Sequence, residues 1–220
     1  MRGSTSMGLM TVFLAFTFNT HTAQAISVNP ILGEELFIER PLLKESVIKS
    51  ESEEIKLQPI SHGIRKKPIF GLVPVNVYTL QLLTASPKKL IHTAEGFLSS
   101  LKASGPAQLN FTFLRNMPGD RISNSLKEGL RANKVSLKDL SPELEQFLQQ
   151  ISDVSEFQNN SNLTLTFEWK AQQSLVHISR GAKLLKSISG TPEFADQLLS
   201  IWFGKASDPK LNELKNTLIN

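Results

Sequence analysis

Two segments of this chain alternate strictly between apolar and polar residues. Leu163, Leu165, Phe167 and Trp169 interleave with Thr164, Thr166, Glu168 and Lys170. Ala107, Leu109, Phe111 and Phe113 interleave with Gln108, Asn110 and Thr112. A period of two places each apolar set on one face of a strand, so both strands need an apolar layer above them. Helical stripes elsewhere supply one. Ala94, Phe97, Leu98 and Leu101 predict a helix over 92–103, ended by Gly105-Pro106. Ile122, Leu126 and Leu130 predict one over 120–132. Ser141-Pro142-Glu143 reads as an N-cap, a proline at N1 and an early acid opening a helix with Leu144, Phe147, Leu148 and Ile151 inward. Thr191-Pro192-Glu193 repeats that arrangement before Phe194, Leu198, Ile201 and Trp202, with Gly204 as the stop. Asp208-Pro209 opens a last helix striped by Leu211, Leu214 and Leu218.

Residues 55–84 are rich in β-branched and apolar side chains, broken by Gly63, Pro68, Gly71 and Pro74. They read as two or three antiparallel strands, with both prolines at edges or bulges. Residues 173–179 and 182–188 read as a hairpin turning at Arg180-Gly181. Strands linked by hairpins and helices arriving in groups predict an α+β fold, an antiparallel sheet with helices layered on it.

The first 25 residues stand apart. Arg2 precedes an uncharged run from Gly8 to Phe18, and Ala23-Gln24-Ala25 closes the segment. That is the pattern of a secretory signal peptide cleaved after Ala25, which places the product in the periplasm or outside the cell. The run is too short to span a bilayer, and no later stretch is long and apolar enough. Residues 26–54 hold two prolines and a polar run from Lys49 to Glu54, and read as an irregular lead-in with one short strand at most. Residues 55–220 form the domain. Without cysteine, the chain has no disulfide scaffold, thiol nucleophile or lipid-anchoring thiol. The 195 residues after Ala25 are enough for a core that holds itself. A net charge of +4, or +3 without the first 25 residues, has no long basic block behind it, so nucleic acid is not an expected partner.

Motifs for nucleotide binding, serine hydrolysis and zinc proteolysis do not occur. His62, His92 and His177 lack a sequence neighbour at ligand spacing, so no metal and no cofactor are expected. One local feature is unusual. Arg65, Lys66 and Lys67 follow one another inside a strand region, which puts Arg65 and Lys67 on one face. Edge strands are often protected by charge in this way. Alternatively, one guanidinium turns in beneath the helices, where its planar fork can pair an anion.

At these residues the sequence resembles the chalcone isomerase family. Gly63-Ile64-Arg65-Lys66-Lys67, Pro68-Ile69-Phe70 and Val75-Asn76-Val77-Tyr78 are similar to its early strand pair. Gly190, Phe194-Ala195, Leu198-Leu199 and Ile201-Trp202-Phe203-Gly204 are similar to its closing helix, particularly in the exported bacterial branch. The likeness runs from Ile55 to Leu218 and implies an open-faced β-sandwich, with a cleft between sheet and helices. In the plant enzymes an arginine, a threonine, a tyrosine and an asparagine cyclise a chalcone there. Carried over, the arginine is Arg65; the other three fall near Val73, Ile122 and Gly129, with Ser123 and Asn124 close by. An apolar side chain cannot polarise a ketone or hold a water. The resemblance therefore implies a non-catalytic protein that binds a fatty acid or similar amphipathic anion, with Arg65 at the acid group. An isomerase acting on a chalcone-like enone through Arg65, and a protein-interaction module, are the alternatives.

Overall fold

The computed structural model describes residues 26–50, 53–69 and 73–220. The expected signal peptide lies outside the described residues. Eight strands form one antiparallel sheet in sequence order: β1 (Ser27–Phe37), β2 (Arg40–Lys49), β3 (Glu54–Ile69), β4 (Val73–Thr84), β5 (Ala107–Phe113), β6 (Asn162–Trp169), β7 (Ser174–Arg180) and β8 (Lys183–Gly190). Among the described residues five α-helices interrupt or follow it: α1 (Phe97–Ala103), α2 (Gly119–Ala132), α3 (Pro142–Ser152), α4 (Phe194–Phe203) and α5 (Pro209–Ile219). This is the α+β arrangement that the alternating strands and grouped helices predict.

Alternate residues of each central strand decide which side the helices take. Leu80 and Leu82 of β4, Leu109 and Phe111 of β5, Leu165 and Phe167 of β6, and Val176 and Ile178 of β7 share one face. On that face they meet Leu126 and Leu130 of α2, Phe147 of α3, Leu198 and Trp202 of α4, and Leu214 of α5 in one core. Each fully buried Phe or Leu there contributes about 1.5–3 kcal/mol through removal from water.

Residues 26–54 correct the expectation of an irregular lead-in. β1 and β2 form a hairpin that places Phe37 opposite Arg40. Its two-residue turn puts Ile38 and Glu39 at φ of 51° and 58°. Tight hairpins of this kind favour Asn-Gly or Asp-Gly, so Ile-Glu carries no turn signal. Pro30 fits because β1 pairs with β2 alone and needs no donor on its free side.

The hairpin also changes what the alternating strands face. Gln108, Asn110, Thr164, Thr166, His177 and Ser179 point away from the helices, yet all are buried. β1 comes back against β8, so the sheet is curled and its polar face is enclosed. Gln81 fixes the cover: its side-chain amide accepts from Leu43 N and donates to Leu43 O, both at 2.8 Å. Leu43, Ile48, Leu57 and Leu83 form a small second core beneath it.

The β3–β4 pair is longer and less broken than the glycines and prolines suggest. Gly63 lies inside β3 because α5 packs closely there; a Cβ would sit 2.7 Å from a methyl of Leu214. Pro68 and Pro74 face each other at the far end of the pair, where no further ladder bonds are needed. Beyond residue 57, β3 pairs with β4 only.

Candidate functional site

A cleft of about 460 Å³ opens between the sheet and α2, α3, α4 and α5. Its floor comes from strand register. Arg65 on β3 stands directly opposite Tyr78 on β4, and Tyr78 opposite Phe113 on β5. Phe111 and Leu165 continue the floor, while Ile122 and Leu126 of α2 and Trp202 of α4 form the roof. The aromatic groups interlock: the Tyr78 ring meets Phe111 edge-on at 5.2 Å, and Phe111 meets Trp202 at 5.4 Å.

Arg65 turns inward and is only 7% exposed. A buried guanidinium needs its charge matched. Asp208 does so through both carboxylate oxygens: Nη1 donates to Oδ1 at 3.0 Å and Nη2 donates to Oδ2. Nη1 also donates to Lys66 O at 2.6 Å. Asp208 is simultaneously the N-cap of α5, accepting from Leu211 N at 2.9 Å. Burial pushes the Asp208 carboxyl up, but the Arg65 and Leu211 hydrogen bonds outweigh it and hold the group below its ordinary range.

The Tyr78 hydroxyl accepts from Trp202 Nε1 at 3.1 Å. Its own proton goes to no acceptor among the described residues, so it can donate into the cleft. Burial raises the phenol above its ordinary value, against the smaller effect of the Trp202 bond. Tyr78 is therefore a neutral donor at working pH.

The other expected positions are apolar or displaced. Val73 is 63% exposed and outside the cleft. Ile122 faces the cleft with a hydrocarbon side chain. Gly129 is filled by Ile201, whose Cγ2 would lie 2.6 Å from an added Cβ. Ser123 donates to Leu148 O and serves the contact between α2 and α3. Asn124 and Ser125 do line the cleft. Of these positions, the structure brings Arg65, Ile122 and Asn124 to the cleft, and adds Asp208, Tyr78 and Trp202. Tyr78 reads as a packing residue and Asp208 as a cap while the strand register is unknown.

A second polar group sits on the enclosed face. His177 Nδ1 lies 2.8 Å from Ser187 Oγ, and Nε2 lies 3.0 Å from Glu168 Oε1, off the line of a straight N–H bond. The contact with His177 is the main reason that the Glu168 carboxyl is held below its ordinary range. These residues are neighbours across β6, β7 and β8, a proximity invisible in sequence spacing. No cluster of three or more metal-ligating side chains occurs among the described residues. No described helix is long and apolar enough to cross a membrane.

Among solved structures, the fatty-acid binding protein of Arabidopsis thaliana superposes with a TM-score of 0.57 at 15% identity, covering 74% of this chain and 86% of that one. At that identity the likeness is one of fold. No curated protein matches the sequence. The family model described as chalcone isomerase-like matches residues 45–220, which include every strand and helix that builds the cleft. The chain belongs to the chalcone isomerase-like family.

Proposed function

We propose that this protein is a non-catalytic binder of a fatty acid or similar amphipathic anion. The carrying observation is the cleft itself: an apolar floor and roof, the Arg65 and Tyr78 donors on its inner flank, and charged and polar side chains at its mouth. The hydrocarbon tail lies against Phe111, Phe147, Ile151 and Leu165. The polar group lies toward Arg65 and Tyr78. Arg65 has five N–H groups, and Asp208 and Lys66 O take three of them. The remainder, with the Tyr78 hydroxyl, can donate to a ligand oxygen. Few precisely placed polar groups in an apolar pocket are the usual composition of a small-molecule site. That a protein of this fold is called a fatty-acid binding protein supports the reading by analogy. We also propose export, with cleavage after Ala25, on the n-region, apolar run and Ala-Gln-Ala of the first 25 residues.

The test is mass spectrometry of what co-purifies, followed by titration of the delipidated protein with long-chain acids. Bound lipid and saturable binding are expected. Arg65→Ala should bind the acid at least tenfold more weakly, because it leaves the Asp208 carboxylate uncompensated beside the anion. Delipidated protein with no affinity for any long-chain acid overturns the proposal.

A further inference from the structure

The free positive charge of the cleft is at its mouth. Arg65 is cancelled by Asp208. Arg115 and Arg121 line the same cleft, are exposed, and have no carboxylate at ion-pair distance among the described residues. Lys67 joins them, held only loosely by Glu128 at 3.9 Å and Ser125 at 3.4 Å. Asp120, beside Arg121, spends its carboxylate on the Arg121 backbone N–H rather than on a guanidinium. Asp120 keeps its charge all the same, so three cations against Asp120 and Glu128 leave a net positive charge of one at the mouth.

Register says how near these charges are to the inner donors. Lys67 is two residues beyond Arg65 on β3, and Arg115 lies in the bend two residues past Phe113, the last residue of β5 and the partner of Tyr78. Two residues span at most roughly 7 Å. Long side chains cover that distance, so one head group can touch the Tyr78 hydroxyl and the mouth together. Arg121 approaches from the first turn of α2 on the opposite wall.

Resting on the amphipath reading above, we infer that the ligand's head group is a phosphate monoester, recognised by Arg115 and Arg121 with Lys67, and that a carboxylate is second best. A phosphate monoester at pH 8 carries close to two negative charges and three acceptor oxygens. Its three oxygens can engage Arg115, Arg121 and Lys67 together, and guanidinium forks pair it through two hydrogen bonds each. A single carboxylate leaves one guanidinium without a partner.

The probes are decyl phosphate, decanoate, decanol and inorganic phosphate, titrated into the delipidated protein at pH 8 and low salt. Trp202 on the cleft wall reports binding by fluorescence. Decyl phosphate should bind at least tenfold tighter than decanoate. Arg115→Gln with Arg121→Gln should remove that advantage and leave decanol unchanged. Inorganic phosphate alone should bind at least a hundredfold more weakly than decyl phosphate. Equal affinity for decyl phosphate and decanoate, or an advantage that survives the double substitution, overturns the head-group assignment and leaves the amphipath reading standing. Inorganic phosphate binding as tightly as decyl phosphate overturns it too, in favour of a free-phosphate site. If neither decyl acid nor decanol binds, the amphipath reading fails and this assignment falls with it.

Discussion

Asp208→Asn separates the two roles that Asp208 combines. Asparagine caps a helix as well as aspartate does, so the bond to Leu211 N survives. The charge beside Arg65 does not. Removing one partner of a buried ion pair costs about 3–5 kcal/mol, because the other charge stays buried. With the Asp208 side chain 31% exposed, solvent screening discounts that to about 2–3 kcal/mol. For a chain of this size the melting temperature should fall by roughly 2–4 °C per kcal/mol. Anion binding should move the other way. Removing a negative charge about 8 Å from a ligand anion, at an effective dielectric near 20, is worth about 2 kcal/mol before screening. Salt and solvent halve that, leaving about a fivefold gain in affinity for a carboxylate or phosphate amphiphile and none for decanol. Calorimetric titration of wild type and variant with decanoate and decanol measures both. A folded variant whose decanoate affinity is unchanged or lower refutes the claim that Asp208 cancels the inner cation.

Three further outcomes follow from particular contacts. Asp208 and Glu168 both have carboxyls held below their ordinary range, so the stability they add is complete above about pH 4–4.5, where the unfolded groups ionise, and is lost as pH falls through the lower native values. Thermal melts should therefore be insensitive to these groups from pH 6 to 8 and drop below about pH 4, with a shallower drop in Glu168→Gln. The strained turn at Ile38 and Glu39 should relax in the double substitution Ile38→Asn, Glu39→Gly, raising stability by about 1–2 kcal/mol in denaturant titration; no gain would mean that the left-handed φ values cost nothing. Gly129→Val should destabilise by about 1–3 kcal/mol, because Ile201 occupies the space its side chain needs, and its unfolding midpoint in urea measures this.

The helix-covered half of the molecule is legible in the sequence because its signals are local. Period two in β5 and β6 and the stripes of α2 to α5 each need only one segment to be read. What sequence reading misses depends on register. Tyr78 becomes a site residue only when β4 sets it opposite Arg65, and His177 meets Glu168 and Ser187 only across three strands. The hairpin of β1 and β2 is hidden for a different reason. Its turn uses residues that disfavour positive φ, and the curled sheet holds them there. The same hairpin explains why polar residues of β5 and β6 are buried although alternation assigns them to solvent. Two pairs bond one another, Gln108 Nε2 to Thr166 Oγ1 and Thr164 Oγ1 to Asn110 Oδ1, each at 3.0 Å, while Gln108 Oε1 has no partner among the described residues.

The Arg65–Asp208 pair makes an empty cleft tolerable. A lone guanidinium beneath helices loses several kcal/mol of hydration and needs a counter-ion or a ligand at all times. Asp208 supplies the counter-ion from the cap of α5, and α5 is seated on β3 through Leu214 against Gly63 and through Ser61, which donates to Leu218 O at 2.7 Å. The inner pair is thus built by the last helix, and its charge is matched by the protein's own residues without any ligand. On the proposed reading, the charges that select an anion are the exposed ones at the mouth, which water solvates and whose desolvation cost is small. Such a division favours reversible uptake: the tail gains burial, the head exchanges water for Arg115 and Arg121, and no buried charge is stranded at either step. A site with Arg65 bare would hold its anion more tightly and release it less readily, and Asp208→Asn converts this protein into that case.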